Sequence, residues 1–174
     1  MKGEVMTEKE NLVKVFEYAL NQEQTGKSFF QNSLQRLALG AAVTAFKKLI
    51  EEEEKHIAFI SGIIDGLKRE GTVDPAAVKN MVIQPTDFFD QRAKSEFLEQ
   101  CVIGSMIPDV TVFNLAWLIE KDLSEFYAGM AAKTRGPARE ALRMLADWEK
   151  GHERFFKDFR DQLSETYAQM PWGG

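Results

Sequence analysis

The chain contains two histidines, and each has a glutamate three places ahead of it, in Glu53-Glu54-Lys55-His56 and in Glu149-Lys150-Gly151-His152. On a helix, residues three apart lie about one turn along the same stripe, so each pair can direct a carboxylate and an imidazole at one ion. With 18 glutamates in 174 residues, independent placement would give both histidines this neighbour roughly once in a hundred chains. Carboxylate and imidazole without thiolate is a donor set for iron, manganese or zinc. Read alone, the run Glu51-Glu52-Glu53-Glu54 is a solvated helix face, so the elements must decide which glutamate points inward.

From about 8 to 39 no proline occurs, and Phe16, Ala19, Glu23, Gly26, Phe30, Ser33 and Leu37 recur in steps of three and four, the inner seam of a long helix. After a break at Gly40, a second helix over 42–70 carries Phe46, Leu49, Glu53, His56, Ile60, Ile63 and Leu67 on its seam. A third, over 109–133 with Asp109 as N-cap, has Phe113, Ala116, Glu120, Leu123, Tyr127 and Met130. Gly136-Pro137 makes the next turn, and a fourth over 137–167 has Leu142, Leu145, Glu149, His152, Phe156, Phe159 and Leu163. The seam separates Glu53 from Glu51, Glu52 and Glu54, which are expected at the surface, so Glu52→Ala is expected to leave metal binding intact. Residues 71–108 lack a seam and read as a crossover along a bundle, with Asp74-Pro75 and Thr86-Asp87 each starting a short helix, the second carrying Phe88, Phe89, Phe97 and Leu98. The expected fold is therefore all-α: an antiparallel four-helix bundle of two hairpins joined by a long crossover, forming one domain over 1–174.

The two hairpins repeat a single unit. Glu23 precedes Glu53 by 30 residues and Glu120 precedes Glu149 by 29, and Phe29-Phe30 follows Glu23 as Phe126-Tyr127 follows Glu120. Packed about a common axis, the units bring Glu23, Glu53, His56, Glu120, Glu149 and His152 to one level. Four ionised carboxylates buried together would cost several kcal/mol each. Two divalent cations cancel their charge with both imidazoles neutral, which favours a dinuclear site, with iron the first choice and manganese or zinc the alternatives.

Composition narrows the function classes. A net charge of −5 argues against nucleic acid as a partner. No stretch has the length and apolarity of a membrane span or signal peptide, so the expected location is the cytoplasm. The single Cys101 permits no paired-cysteine metal centre and reads as a packed thiol.

The pattern Glu23-x-x-Gly26-x-x-Phe29-Phe30, Glu53-x-x-His56, Glu120 through Phe126-Tyr127, and Glu149-x-x-His152 resembles the rubrerythrin-like branch of the ferritin-like superfamily over nearly the whole chain. The resemblance implies a di-iron bundle that takes ferrous iron, reacts with hydrogen peroxide or oxygen, and forms a homodimer or larger assembly. In it Glu53 and Glu149 would bridge the two metals, Glu23 and Glu120 would bind one each, and His56 and His152 would complete the two sites. Full-length rubrerythrins carry a rubredoxin domain with paired cysteines, missing here, so electrons would come from a separate donor protein. They also have a second glutamate on the third helix; three places either side of Glu120 stand Trp117 and Leu123. The expected site is thus closer to the six-ligand centre of bacterioferritin, which favours ferroxidase over peroxidase chemistry. Iron storage or delivery would use the same residues, while a di-manganese catalase or a non-catalytic metal-binding module are lesser alternatives.

Tyr127, two turns beyond Glu120, is placed to hydrogen-bond a ligand or take part in electron transfer, although a packed core tyrosine is commoner. Trp117 and Trp148 are expected to border the site as packing groups. Glu17 and Glu125 are expected at the surface, with Glu125 the better candidate for an iron access route.

Overall fold

The computed structural model describes residues 8–37, 40–81 and 107–169. Among these, α1 (Glu8–Ser33), α2 (Ala41–Glu70), α3 (Pro75–Met81), α4 (Ile107–Lys133) and α5 (Gly136–Ala168) account for nearly every residue, and α1, α2, α4 and α5 form a four-helix bundle. Cys101 and the expected short helix from Thr86 with Phe88, Phe89, Phe97 and Leu98 lie outside the described residues.

Helix ends follow local chemistry. α1 stops at Ser33 rather than at 39, the backbone tightening there as Arg36 N–H donates to the Ser33 carbonyl at 2.9 Å. Leu37 nonetheless stays in the core. Gly71 closes α2 at φ 78°, its N–H donating to Leu67 O at 3.0 Å; this left-handed cap is where glycine avoids a Cβ clash. Asp74 caps α3 as its position before Pro75 predicts, accepting the Ala76 N–H at 2.8 Å. α4 begins two residues before the expected Asp109 N-cap and carries Pro108 in its first turn, where the missing N–H costs no hydrogen bond.

Cross-helix contacts fix the register. Lys68 of α2 pairs with Glu17 of α1 at 2.7 Å and Lys27 of α1 with Glu54 of α2 at 2.8 Å, so this hairpin is antiparallel. The second hairpin is antiparallel too, with Phe113 of α4 stacked on Phe159 of α5 at a centroid distance of 3.6 Å. Between hairpins, Tyr18 of α1 meets Phe126 of α4 at 5.0 Å and Phe46 of α2 meets Phe156 of α5 at 5.6 Å.

The apolar core is divided in two. One cluster gathers Phe30, Phe46, Leu49, Phe113, Phe155, Phe156 and Phe159. The other gathers Phe16, Ile60, Ile63, Leu67, Leu123, Tyr127, Leu142 and Leu145. Along every long helix the chain passes from one cluster to the other across a polar step: Glu23 in α1, Glu53 and His56 in α2, Glu120 in α4, Glu149 and His152 in α5. A fully buried phenylalanine or leucine stabilises the fold by about 1.5–3 kcal/mol, so these flanking layers offset the desolvation of the layer between them.

Candidate metal centre

All six predicted ligand residues come together between the two clusters. Glu23, Glu53, Glu120, Glu149 and His152 are fully buried, and His56 is 2 % exposed. Two groups of donor atoms form, Glu23, Glu53, His56 and Glu149 in one and Glu53, Glu120, Glu149 and His152 in the other, with the atoms of each group within 4.8 Å of one another. Glu53 and Glu149 belong to both groups. The two imidazole rings lie nearly parallel, their centroids 5.6 Å apart.

Each histidine turns Nδ1 toward the carboxylates. His56 Nδ1 lies 2.8 Å from Glu149, 3.6 Å from Glu23 and 3.7 Å from Glu53. His152 Nδ1 lies 3.3 Å from both Glu120 and Glu149 and 3.5 Å from Glu53. Despite this crowding, Glu23 Oε2, both oxygens of Glu53, Glu120 and Glu149, and His56 Nδ1 make no hydrogen bond. Buried polar atoms are ordinarily satisfied, and so many unsatisfied acceptors converging on two points fit a pair of cations.

The electrostatics agree with that fit. Burial raises Glu23 and Glu120 well above the usual carboxylate range, and the Glu149 charge adds to the shift. Burial opposes charge on the imidazoles, but Glu149 and Glu53 around His56, and Glu120 and Glu149 around His152, outweigh it and raise both. Burial would raise Glu149 as well, yet the two histidines hold it below the usual range. The cluster therefore retains protons that divalent ions would displace.

Tyr127 is buried, and its hydroxyl donates to Glu23 Oε1, a carboxylate of the cluster contributed by the other hairpin. Burial first and the Glu23 charge second raise its phenol, so it remains a donor. Trp148 stacks on His56 with centroids 4.9 Å apart and planes 7° from parallel. Trp117 instead faces Arg160, whose guanidinium sits 4.0 Å over its ring, and takes no part in the cluster. Glu17 and Glu125 are exposed, Glu125 lying 3.8 Å from Lys121. A cavity of about 360 Å³ between α1 and α4 is lined by Gln22, Gly26, Ile119, Asp122 and Leu123 among others, with Gly26 and Leu123 one turn from Glu23 and Glu120; Glu125 is not among its lining residues.

One expectation fails. Glu51 and Glu54 are exposed, but Glu52 is only 8 % exposed, and its Oε2 lies 2.9 Å from His152 Nε2. An ionised carboxylate can only accept, so Nε2 donates to Glu52. The signal was in the sequence, because Glu52 lies three residues after Leu49 and four before His56 and so satisfies the seam as well as Glu53 does. Glu153 was missed in the same way: four after Glu149 and three before Phe156, it is buried, bound by Lys150 at 2.6 Å and faced by the Ser124 hydroxyl at 3.3 Å.

Searches of curated proteins and of solved structures returned no match. A family model described as Rubrerythrin matches residues 10–160, a span that takes in all six clustered residues together with the helices that carry them. A carboxylate and histidine layer of this kind fits the di-metal site, usually iron, that the family implies, and with most of the sequence under that match the chain belongs to the rubrerythrin family.

Proposed function

We propose that this protein is a di-iron oxidoreductase in which Glu23, Glu53, His56, Glu120, Glu149 and His152 hold two iron ions and hydrogen peroxide or oxygen is the oxidant. The observation that carries this reading is the sharing of Glu53 and Glu149 between two donor groups in which every carboxylate keeps at least one buried oxygen without a hydrogen bond. Glu53 and Glu149 would bridge, Glu23 and His56 would complete one position, and Glu120 and His152 the other. Two ferrous ions bound there supply the two electrons that reduce the oxidant.

The protein's own groups prepare that chemistry. The apolar layers above and below restrict water to the site. The cavity between α1 and α4 is the access route this reading favours for small oxidants and ferrous iron, with Gln22 and Asp122 in its lining. Tyr127 holds a proton at Oη against Glu23 Oε1, fixing that carboxylate and keeping a donor beside the reaction volume. Glu120, flanked by Trp117 and Leu123, has no second carboxylate one turn away on α4, which favours ferroxidase over peroxidase chemistry. The one cysteine in these 174 residues forms no paired-cysteine centre, so reducing equivalents would arrive from outside this sequence.

Stopped-flow mixing of the ferrous-loaded protein with hydrogen peroxide or with oxygen tests the reading and ranks the two oxidants. Oxidation faster than that of free ferrous iron under the same conditions is expected, and an equal rate would overturn it. Iron storage is the second reading, since it uses the same ligands; particle mass separates them. A dimer of the 19.8 kDa chain binding two irons per chain excludes storage by this protein alone, whereas a closed cage would favour it.

A further inference from the structure

The six ligand-position residues are nearly symmetric between the two hairpins, but the residues supporting them are not. Glu52 precedes Glu53, and its carboxylate holds His152 Nε2 at 2.9 Å. The equivalent residue before Glu149 is Trp148, which stacks on His56 and offers it no charge. Among the described residues His56 meets carboxylates only through Nδ1. The second asymmetry concerns the terminal carboxylates. Tyr127, seven places after Glu120, donates to Glu23 Oε1, whereas its counterpart seven places after Glu23 is Phe30, which has no hydroxyl. Glu120 keeps both oxygens unengaged by any hydrogen bond.

Both differences set the two positions apart. A carboxylate behind a metal-binding histidine fixes its tautomer and orientation and increases its donor strength, and losing such a partner typically lowers metal affinity about 10–100-fold. A hydroxyl donating to one oxygen of a ligand carboxylate occupies a lone pair and leaves the other oxygen for the ion. The Glu120 and His152 position thus has the strengthened imidazole and the unencumbered carboxylate. The Glu23 and His56 position has neither.

We propose that the two metal positions are built to be unequal, with Glu52 a positioning residue that makes the Glu120 and His152 position fill first and bind more tightly. This rests on the dinuclear reading above. The labile Glu23 and His56 position is then where the second ion is loaded and released.

The test is an oxygen-free Co²⁺ titration of the full chain after chelator treatment, followed by calorimetry and by the visible d–d bands. Wild type is expected to bind two equivalents in separable steps. Glu23→Ala should retain the tighter equivalent and Glu120→Ala only the weaker. Glu52→Ala should weaken the first step about 10–100-fold and leave the second nearly unchanged. Glu52→Gln, which keeps an acceptor without the charge, should fall between, and it carries the test if the alanine variant does not fold. Tyr127→Phe should change the second step alone. Proton NMR of the one-equivalent complex should contain a protected, paramagnetically shifted imidazole N–H that Glu52→Ala removes, a signature that loss of packing would not produce. Two equal steps in wild type, or a Glu52→Ala effect confined to the second step or shared equally by both, overturns the proposal while sparing the dinuclear site. Binding of one Co²⁺ or none overturns the dinuclear reading itself.

Discussion

At the scale of single residues, burial together with shared geometry decides what each carboxylate does. Glu53 lies in both donor groups and Glu23 in only one. Glu53→Ala should therefore abolish binding of the metal pair, while Glu23→Ala should leave one ion bound; metal content per chain, measured after dialysis, checks both. An equal stoichiometry in the two variants would contradict the bridging role. The adjacent Glu52 shows why its surface assignment from sequence failed. A run of four glutamates gives the same residue type at every phase of the helix, so seam periodicity admits both Glu52 and Glu53. Only the position of α5 distinguishes the one that joins both donor groups from the one that meets His152 Nε2. That the six residues share one buried layer, by contrast, was legible because each half repeats them against an apolar seam, and a chance repeat rarely matches type, phase and spacing together.

At the scale of the elements, the layers around the site do the holding. Phe46 meets Phe30, Phe113 and Phe156 edge-on at 5.9, 5.1 and 5.6 Å, joining all four long helices next to the carboxylates. Phe46→Ala should cost about 3–5 kcal/mol, read as a lowered denaturation midpoint in metal-free protein. Gly71→Ala forces a Cβ into a left-handed cap at φ 78° and should cost about 1–2 kcal/mol without altering metal stoichiometry. The four long helices were readable from their steps of three and four, and residues assigned to the seams are buried almost throughout, Met130 being half-buried. What periodicity could not supply is the end of α1 at Ser33, where Leu37 continues the seam pattern after the helical backbone has already tightened. Nor could it supply the partner of Trp117, the guanidinium of Arg160 on α5 that sits over its ring.

For the whole molecule, the buried layer links stability to pH and to metal. In the folded chain Glu23 and Glu120 sit well above their ordinary value of 4.5, and His56 and His152 well above 6.5. Groups with raised folded-state values stabilise fully below the unfolded value and lose that contribution as pH rises through the folded one. Glu149, held low, contributes above 4.5 and loses its contribution only as the solution becomes acidic. Chelator-treated protein should therefore lose thermal stability as pH rises from 4.5 through 6.5 and beyond. Loaded protein should gain over the lower part of that range, because ions and protons compete for the same atoms. Parallel melting curves with and without metal would contradict this linkage. No helix among the described residues is long and apolar enough to cross a membrane.

The central claim is that the layer between the two apolar clusters holds a pair of iron ions. Anomalous scattering from a crystal of the iron-loaded protein, recorded at the iron edge, tests it most directly. Two peaks per chain are expected, both in contact with Glu53 and Glu149, one also with Glu23 and His56 and the other with Glu120 and His152. A single peak, or peaks lying away from Glu53 and Glu149, would contradict the account.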